Sequence, residues 1–130
     1  MIPLCRDQGI GLIPWSPLAR GFLAGNRRRG DYGETSRAKT DDYAQKMYYH
    51  DSDFAVVERV GQIAARRGVS HAQVALSWVL AQPGVTAPII GASKPHHFDD
   101  ALAALSLTLD ADELKSLAAP YQPHPVLGHA

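Results

Sequence analysis

Two short apolar runs, "IGLIPW" at residues 10–15 and "TAPII" at residues 86–90, set the terms on which this chain can fold. Apolar runs of this length suit strands buried on both faces. The first closes at Pro14, a residue that ends ladders, and the second breaks at Gly91. Strands that alternate with helices pair in parallel through crossover helices. Two parallel strands by themselves leave unpaired edges and apolar faces in water, so the chain is expected to be a piece of something larger or to assemble.

The segments around the runs read as helices and one loop. Residues 26–53 are polar, hold Gly30 and Gly33 and show no period, which predicts a long loop with one short helical turn around residues 43–49. From Phe54, the positions Phe54, Val57, Val60, Gly61 and Ala64 recur at three and four, with Ser52 or Asp53 as cap and Gly68 as stop. Ser70 and Gln73 form a capping box that opens "SHAQVALSWVL", with Val69 stapled on Val74 and an apolar face of Val74, Trp78 and Leu80. A third helix opens near Pro95, with Asp99 and Asp100 early and Phe98, Leu102 and Leu105 on one face. The last helix starts at Asp110, boxed by Glu113 and stapled by Leu109 on Leu114, and residues 120–130 form an extended tail.

Composition removes several classes of function. With 130 residues, 45% of them hydrophobic, the chain bounds at one modest domain. Thirteen Lys plus Arg balance thirteen Asp plus Glu, so no global field draws nucleic acid or an acidic membrane surface. No apolar run approaches the ~20 residues of a membrane span, and the N-terminus lacks the pattern of a signal peptide. A lone Cys5 forms no disulfide within the chain, reads as a small buried hydrophobe and fits a cytoplasmic setting. His96 and His97 are adjacent, about 100° apart on a helix, and make a poor metal pair; no metal is expected.

Each apolar run is followed by a loop with the chemistry of a phosphate site. After the first come Ser16, the backbone N–H groups beyond Pro17 and Leu18, and Gly21, which lets the chain turn close to a diphosphate. After the second, Ser93, Lys94 and Pro95 open a helix with a hydroxyl, a cation and free N–H groups, a set suited to a phosphate monoester. Arg20, Arg27, Arg28, Arg29, Arg37 and Lys39 face only Asp31 and Glu34 between positions 20 and 39, a local basic patch.

Taken in order, "IPLCRDQGIGLIPWSPLARGFL", "HAQVALSWVLAQPGV", "APIIGASKPHHFDDAL" and "PYQPHPVLG" resemble the C-terminal third of an aldo/keto reductase, nearest its bacterial YajO-type branch. The resemblance implies an α/β fold, the C-terminal fragment of a (β/α)8 TIM barrel, with residues 10–15 as its seventh strand and residues 86–90 as its eighth. Barrels of this kind place ligands at the C-terminal ends of their strands. It further implies NADP(H) as cofactor, with Trp15 stacked on the nicotinamide and the diphosphate along Ser16, Pro17, Leu18, Ala19, Arg20 and Gly21. The 2′-phosphate and adenine would lie near Gly91, Ser93, Lys94, His97 and Asp100, and Arg27 and Arg37 would help residues 26–53 fold over the cofactor. Where relatives carry Gln and Asn for adenine, this chain has His97, which keeps hydrogen-bonding capacity, and Ala101, which has none.

The parent activity implied is NADPH-dependent reduction of an aldehyde or ketone. The family's catalytic Asp, Tyr, Lys and His belong to earlier strands, so no catalytic residue is expected in this chain, and a carbonyl substrate is expected only with an N-terminal part. Two other readings stay open: a nucleotide-binding module without turnover, and a remnant that self-associates through its strand edges.

Overall fold

A computed structural model describes residues 1–25 and 47–124. Its helices are α1 (Ile2–Asp7), α2 (Asp51–Arg67), α3 (His71–Leu80), α4 (Pro95–Ala104) and α5 (Ala111–Ala118), with a 3₁₀ segment at Ala19–Ala24. Local chemistry sets most of their ends. Ser70 Oγ accepts from the Gln73 N–H at 3.2 Å while the Gln73 amide accepts from the Ser70 N–H at 3.3 Å. Asp110 and Glu113 repeat the arrangement at the start of α5, at 2.8 and 3.0 Å. Each such box satisfies two N–H groups that the helix leaves without partners.

The start of α2 lies earlier than its apolar period predicts. Asp53 is not the cap: its carboxylate reaches back one turn to accept from the His50 N–H at 3.0 Å, which places the helix start at Asp51. At the other end Gly68 adopts φ +67, and the Val69 N–H returns to the Ala64 carbonyl at 3.0 Å.

The core lies where α2, α3 and α5 meet. Val60, Ile63, Ala64, Val74, Leu109 and Leu117 are buried together, with Val69, Trp78 and Leu114 packed on them. Burying each of the larger of these side chains contributes roughly 1.5–3 kcal/mol. A second cluster joins Phe22, Phe54 and Val57, flanked by Tyr48 and Tyr49. The predicted apolar face of α4 points to solvent instead: Phe98, Leu102 and Leu105 are 53%, 50% and 68% exposed. That helix turns its polar side inward, because Asp100 accepts hydrogen bonds from Ser70 Oγ and Gln73 Nε2 at 3.0 and 2.9 Å, and Ser77 Oγ donates to the Ala104 carbonyl at 3.0 Å. Cys5, read as buried, is half-buried on α1.

Glu113 joins α5 to α2. It is only 3% exposed and accepts from Arg67 Nε at 2.8 Å and from Arg66 at 3.1 Å, with a further bond from the Arg67 terminal nitrogen. The Arg67 hydrogen bond, helped by the Asp110 N–H and by Arg66, outweighs burial and lowers the carboxyl to about 2.

The two apolar runs meet, but as isolated parallel bridges and not as the extended strands expected of them. Leu12 bridges Val85 and Trp15 bridges Ile89. The Leu12 N–H donates to the Gly84 carbonyl at 2.9 Å and the Thr86 N–H to the Leu12 carbonyl at 2.8 Å. The next pair of bonds in this register would need N–H groups from residues 14 and 88, and both are prolines. The chain slips instead, and the Ile89 N–H reaches the Pro14 carbonyl at 2.8 Å, so three steps on the first segment match four on the second. Gly11 permits the close approach, since a Cβ there would collide with Thr86 Oγ1.

Candidate functional site

Because the bridges are parallel, Ser16 and Ile90 both leave the same end of the pair, one residue beyond Trp15 and Ile89. The two Ser-bearing loops therefore open side by side. Trp15 itself is 61% exposed, its ring free of the core.

The first loop has an unusual backbone. Ser16, Ala19, Arg20, Gly21 and Gly25 take φ of +49, +48, +56, +93 and +79. Three of these are not glycine, and a left-handed residue with a side chain costs on the order of 1–3 kcal/mol, a form that persists only when its surroundings impose it. The Ser16 carbonyl accepts from the Ala19 N–H at 2.9 Å, and the Leu18 carbonyl accepts from Gly21 and Leu23 at 2.9 and 3.2 Å. The Ala19 N–H, predicted from the sequence as a phosphate donor, is thus engaged in the loop's own turn. Phe22 pins the loop from within: it is 2% exposed, with ring centroids 5.0 Å from Tyr49 and 5.2 Å from Phe54.

The second loop is open. Gly91, Ser93 and Lys94 are exposed, and His97 is partly covered, its Nδ1 3.4 Å from Ser93 Oγ. Lys94 occupies the N-cap of α4 in extended conformation, with no side chain capping the helix and Pro95 following. A cation at the positive end of a helix runs against the dipole, and an anion bound there would relieve it. Asp100, predicted beside the adenine, turns its carboxylate to Ser70 and Gln73 at the start of α3. Arg27 and Arg37, the predicted cofactor-covering arginines, lie outside the described residues, as does most of the loop that carries them.

Two hydroxyls, one ammonium and a helix start without a capping side chain make a donor set that fits a phosphate-bearing nucleotide. No group of three His, Cys, Asp or Glu suited to a metal ion occurs among the described residues. Two contacts escape a reading of local pattern. The His71 ring lies against both Gly25 and Gly61, signalled only by a glycine inside a helical period. His124 Nε2 meets Asp53 Oδ1 at 2.9 Å, tying the tail to the start of α2, with no signal in either segment.

Comparison with known proteins adds to this geometry. A sequence profile described as the Aldo/keto reductase family matches residues 1–121. The chain is 41% identical over 128 residues to the protein named "Putative aryl-alcohol dehydrogenase C750.01" of Schizosaccharomyces pombe, covering 98% of this chain and 38% of that protein. It is 39% identical over 126 residues to versiconal hemiacetal acetate reductase of Aspergillus parasiticus, covering 95% and 36%. With "Uncharacterized oxidoreductase YrpG" of Bacillus subtilis it shares 36% identity over 117 residues, 90% of this chain and 34% of that one. The chain spans about a third of the length of these curated relatives.

Proposed function

The chain belongs to the aldo/keto reductase family, and from that premise we propose that its two Ser-bearing loops form the NADP(H)-binding part of a (β/α)8 barrel oxidoreductase that reduces aldehydes or ketones. Its place in that reading is the C-terminal third, in the bacterial branch. One observation carries the proposal: the parallel bridge from Trp15 to Ile89 delivers both loops to one edge, the end at which barrels of this class bind ligands. Ser16 and the turn through Gly21 would hold the diphosphate, Trp15 the nicotinamide, and Ser93 with Lys94 the 2′-phosphate, with His97 toward the adenine.

Bound NADPH supplies a hydride. Reduction of a carbonyl needs in addition a proton donor within hydrogen-bond reach of its oxygen, and none of the residues described here is assigned that role. What this chain contributes is recognition and orientation. A cytoplasmic setting is part of the same reading, supported by the lone half-buried thiol of Cys5; among the described residues no helix is long and apolar enough to cross a membrane.

Lys94→Ala tests the proposal through its selectivity. NADH has a hydroxyl where NADPH has a dianionic phosphate, and a hydrogen bond to a charged group contributes roughly 1.5–3 kcal/mol. The variant is expected to weaken NADPH about ten- to a hundred-fold and NADH little, read by paired fluorescence titrations. Equal weakening of both removes Lys94 from the 2′-phosphate, and saturable binding of neither by the unaltered chain overturns the proposal.

A second reading, self-association, is favoured by a separate observation: Ile13, Trp15 and Ile89 near the bridges and Phe98, Leu102 and Leu105 on α4 and its C-cap are all at least half exposed. Sedimentation would show concentration-dependent assembly if this reading holds. A monodisperse monomer across the concentration range would end it.

A further inference from the structure

We propose that His71 is a positioning residue that holds the loop of residues 16–25 in its left-handed form. The inference deepens the reading of that loop as a dinucleotide site and rests on it for the identity of the ligand.

The first observation is a misfit inside α2. Gly61 lies ten residues into a helix that runs Asp51–Arg67, where glycine is about 1 kcal/mol less favourable than alanine. The position is half-buried, and its φ is ordinary for a helix. What a side chain would meet there is the neighbour: a Cβ at residue 61 would stand 2.8 Å from His71 Nε2, so the ring would have to move. The helix keeps a gap for an imidazole.

The second observation concerns the same ring. A Cβ at Gly25 would stand 2.6 Å from His71 Cδ2 and 2.8 Å from its Cγ and Nε2. Gly25 also takes φ +79 and closes the 3₁₀ segment that ends the loop. One ring therefore occupies the space between α2 and the last residue of the loop, seated in two gaps that only glycines leave.

The ring's own base is fixed. His71 is the first residue of α3, its preceding Ser70 held by Gln73 and by Asp100. The loop thus has two anchors after its distorted stretch, Phe22 in the aromatic cluster and Gly25 against His71. Between the first turn and these anchors lie Ala19, Arg20 and Gly21, all left-handed. A conformation of that kind holds only when its contacts over-determine it. Releasing one anchor lets the loop populate ordinary backbone states, and a ligand that needs the distorted form binds more weakly by the fraction of time it is absent.

Gly61→Ala separates positioning from general stability, because the two effects have opposite signs. The added methyl favours the helix and displaces the ring. The expected result is a thermal midpoint unchanged or raised, amide hydrogen exchange at residues 21–25 about tenfold faster, and unaltered exchange in the middle of α2. His71→Ala should speed exchange at the same amides, and the double variant should be no worse than His71→Ala alone, since both act through one contact. Titration with NADPH should show a several-fold weaker dissociation constant in each variant. Unchanged exchange at residues 21–25 in both single variants, or additive effects in the double, overturns the proposal. If the unaltered chain binds no NADPH while the loop amides respond as stated, the positioning role is upheld and the dinucleotide reading is what fails.

Discussion

Phe22→Ala is expected to lower the chain's stability by about 3–5 kcal/mol, the usual cost of removing a buried aromatic ring from a packed site. Phe22 is 2% exposed and meets Phe54 and Tyr49 edge to face, with interplanar angles of 78° and 75°, while Tyr48 stacks at 6.2 Å. The site has little means of collapse on the side of α2, because Phe54 and Val57 are fixed on that helix. Urea unfolding followed by circular dichroism measures the loss. Phe22→Leu should retain a large part of the stability, since it keeps most of the apolar volume. A loss below about 1 kcal/mol in Phe22→Ala would mean that the cluster does not hold the loop.

Glu113→Ala is expected to cost about 2–3 kcal/mol, near the worth of a buried charge-assisted hydrogen-bond set. The figure stays below that of a sealed ion pair because Arg66 and Arg67 are 66% and 36% exposed and regain water when the carboxylate goes. The pH dependence distinguishes this contribution from packing. The carboxyl is lowered from 4.5 to about 2 in the folded chain, chiefly by the Arg67 hydrogen bond. A group depressed on folding stabilises above its unfolded value, and that stability is lost as pH falls through the folded value. The difference in unfolding free energy between the unaltered chain and Glu113→Gln should therefore be constant above about pH 5 and shrink toward pH 2. A difference that does not change with pH would assign the effect to shape.

Local chemistry was legible in the sequence and long-range chemistry was not. The boxes at Ser70 and Asp110 involve residues three apart, so their spacing is visible in the chain, and they form as read. The box residue Asp53 is visible too, but the pattern reads it as a cap, one turn out, because a histidine at the cap gives a weaker signal than the aspartate that bonds to it. The Glu113 cluster joins residues 46 and 47 positions apart, and nothing in either local pattern points to the other. On the functional side, the pairing of the two Ser-bearing loops follows from parallel strands and was foreseeable. Which N–H groups those loops keep free depends on their turns, and the Ala19 N–H was lost to one. The apolar face of α4 shows the converse error: Phe98, Leu102 and Leu105 have core periodicity, yet hydrogen bonds from Ser70, Gln73 and Ser77 to Asp100 and the Ala104 carbonyl decide which side faces α3.

Pro14 and Pro88 act on the second segment as a phase shift. Side chains in extended chain alternate between faces, so a slip of one residue exchanges every face beyond it. Continued without the slip, the register begun at Leu12 and Val85 would set Pro88 opposite Trp15; the bridge observed there is to Ile89. Ile89 thus takes the place beside Trp15 that the first register would have given Pro88, a shift along the second segment of about 3.3 Å, one residue's rise. Where along the first segment the second loop departs is in this sense decided at two prolines, by the hydrogens their nitrogens lack.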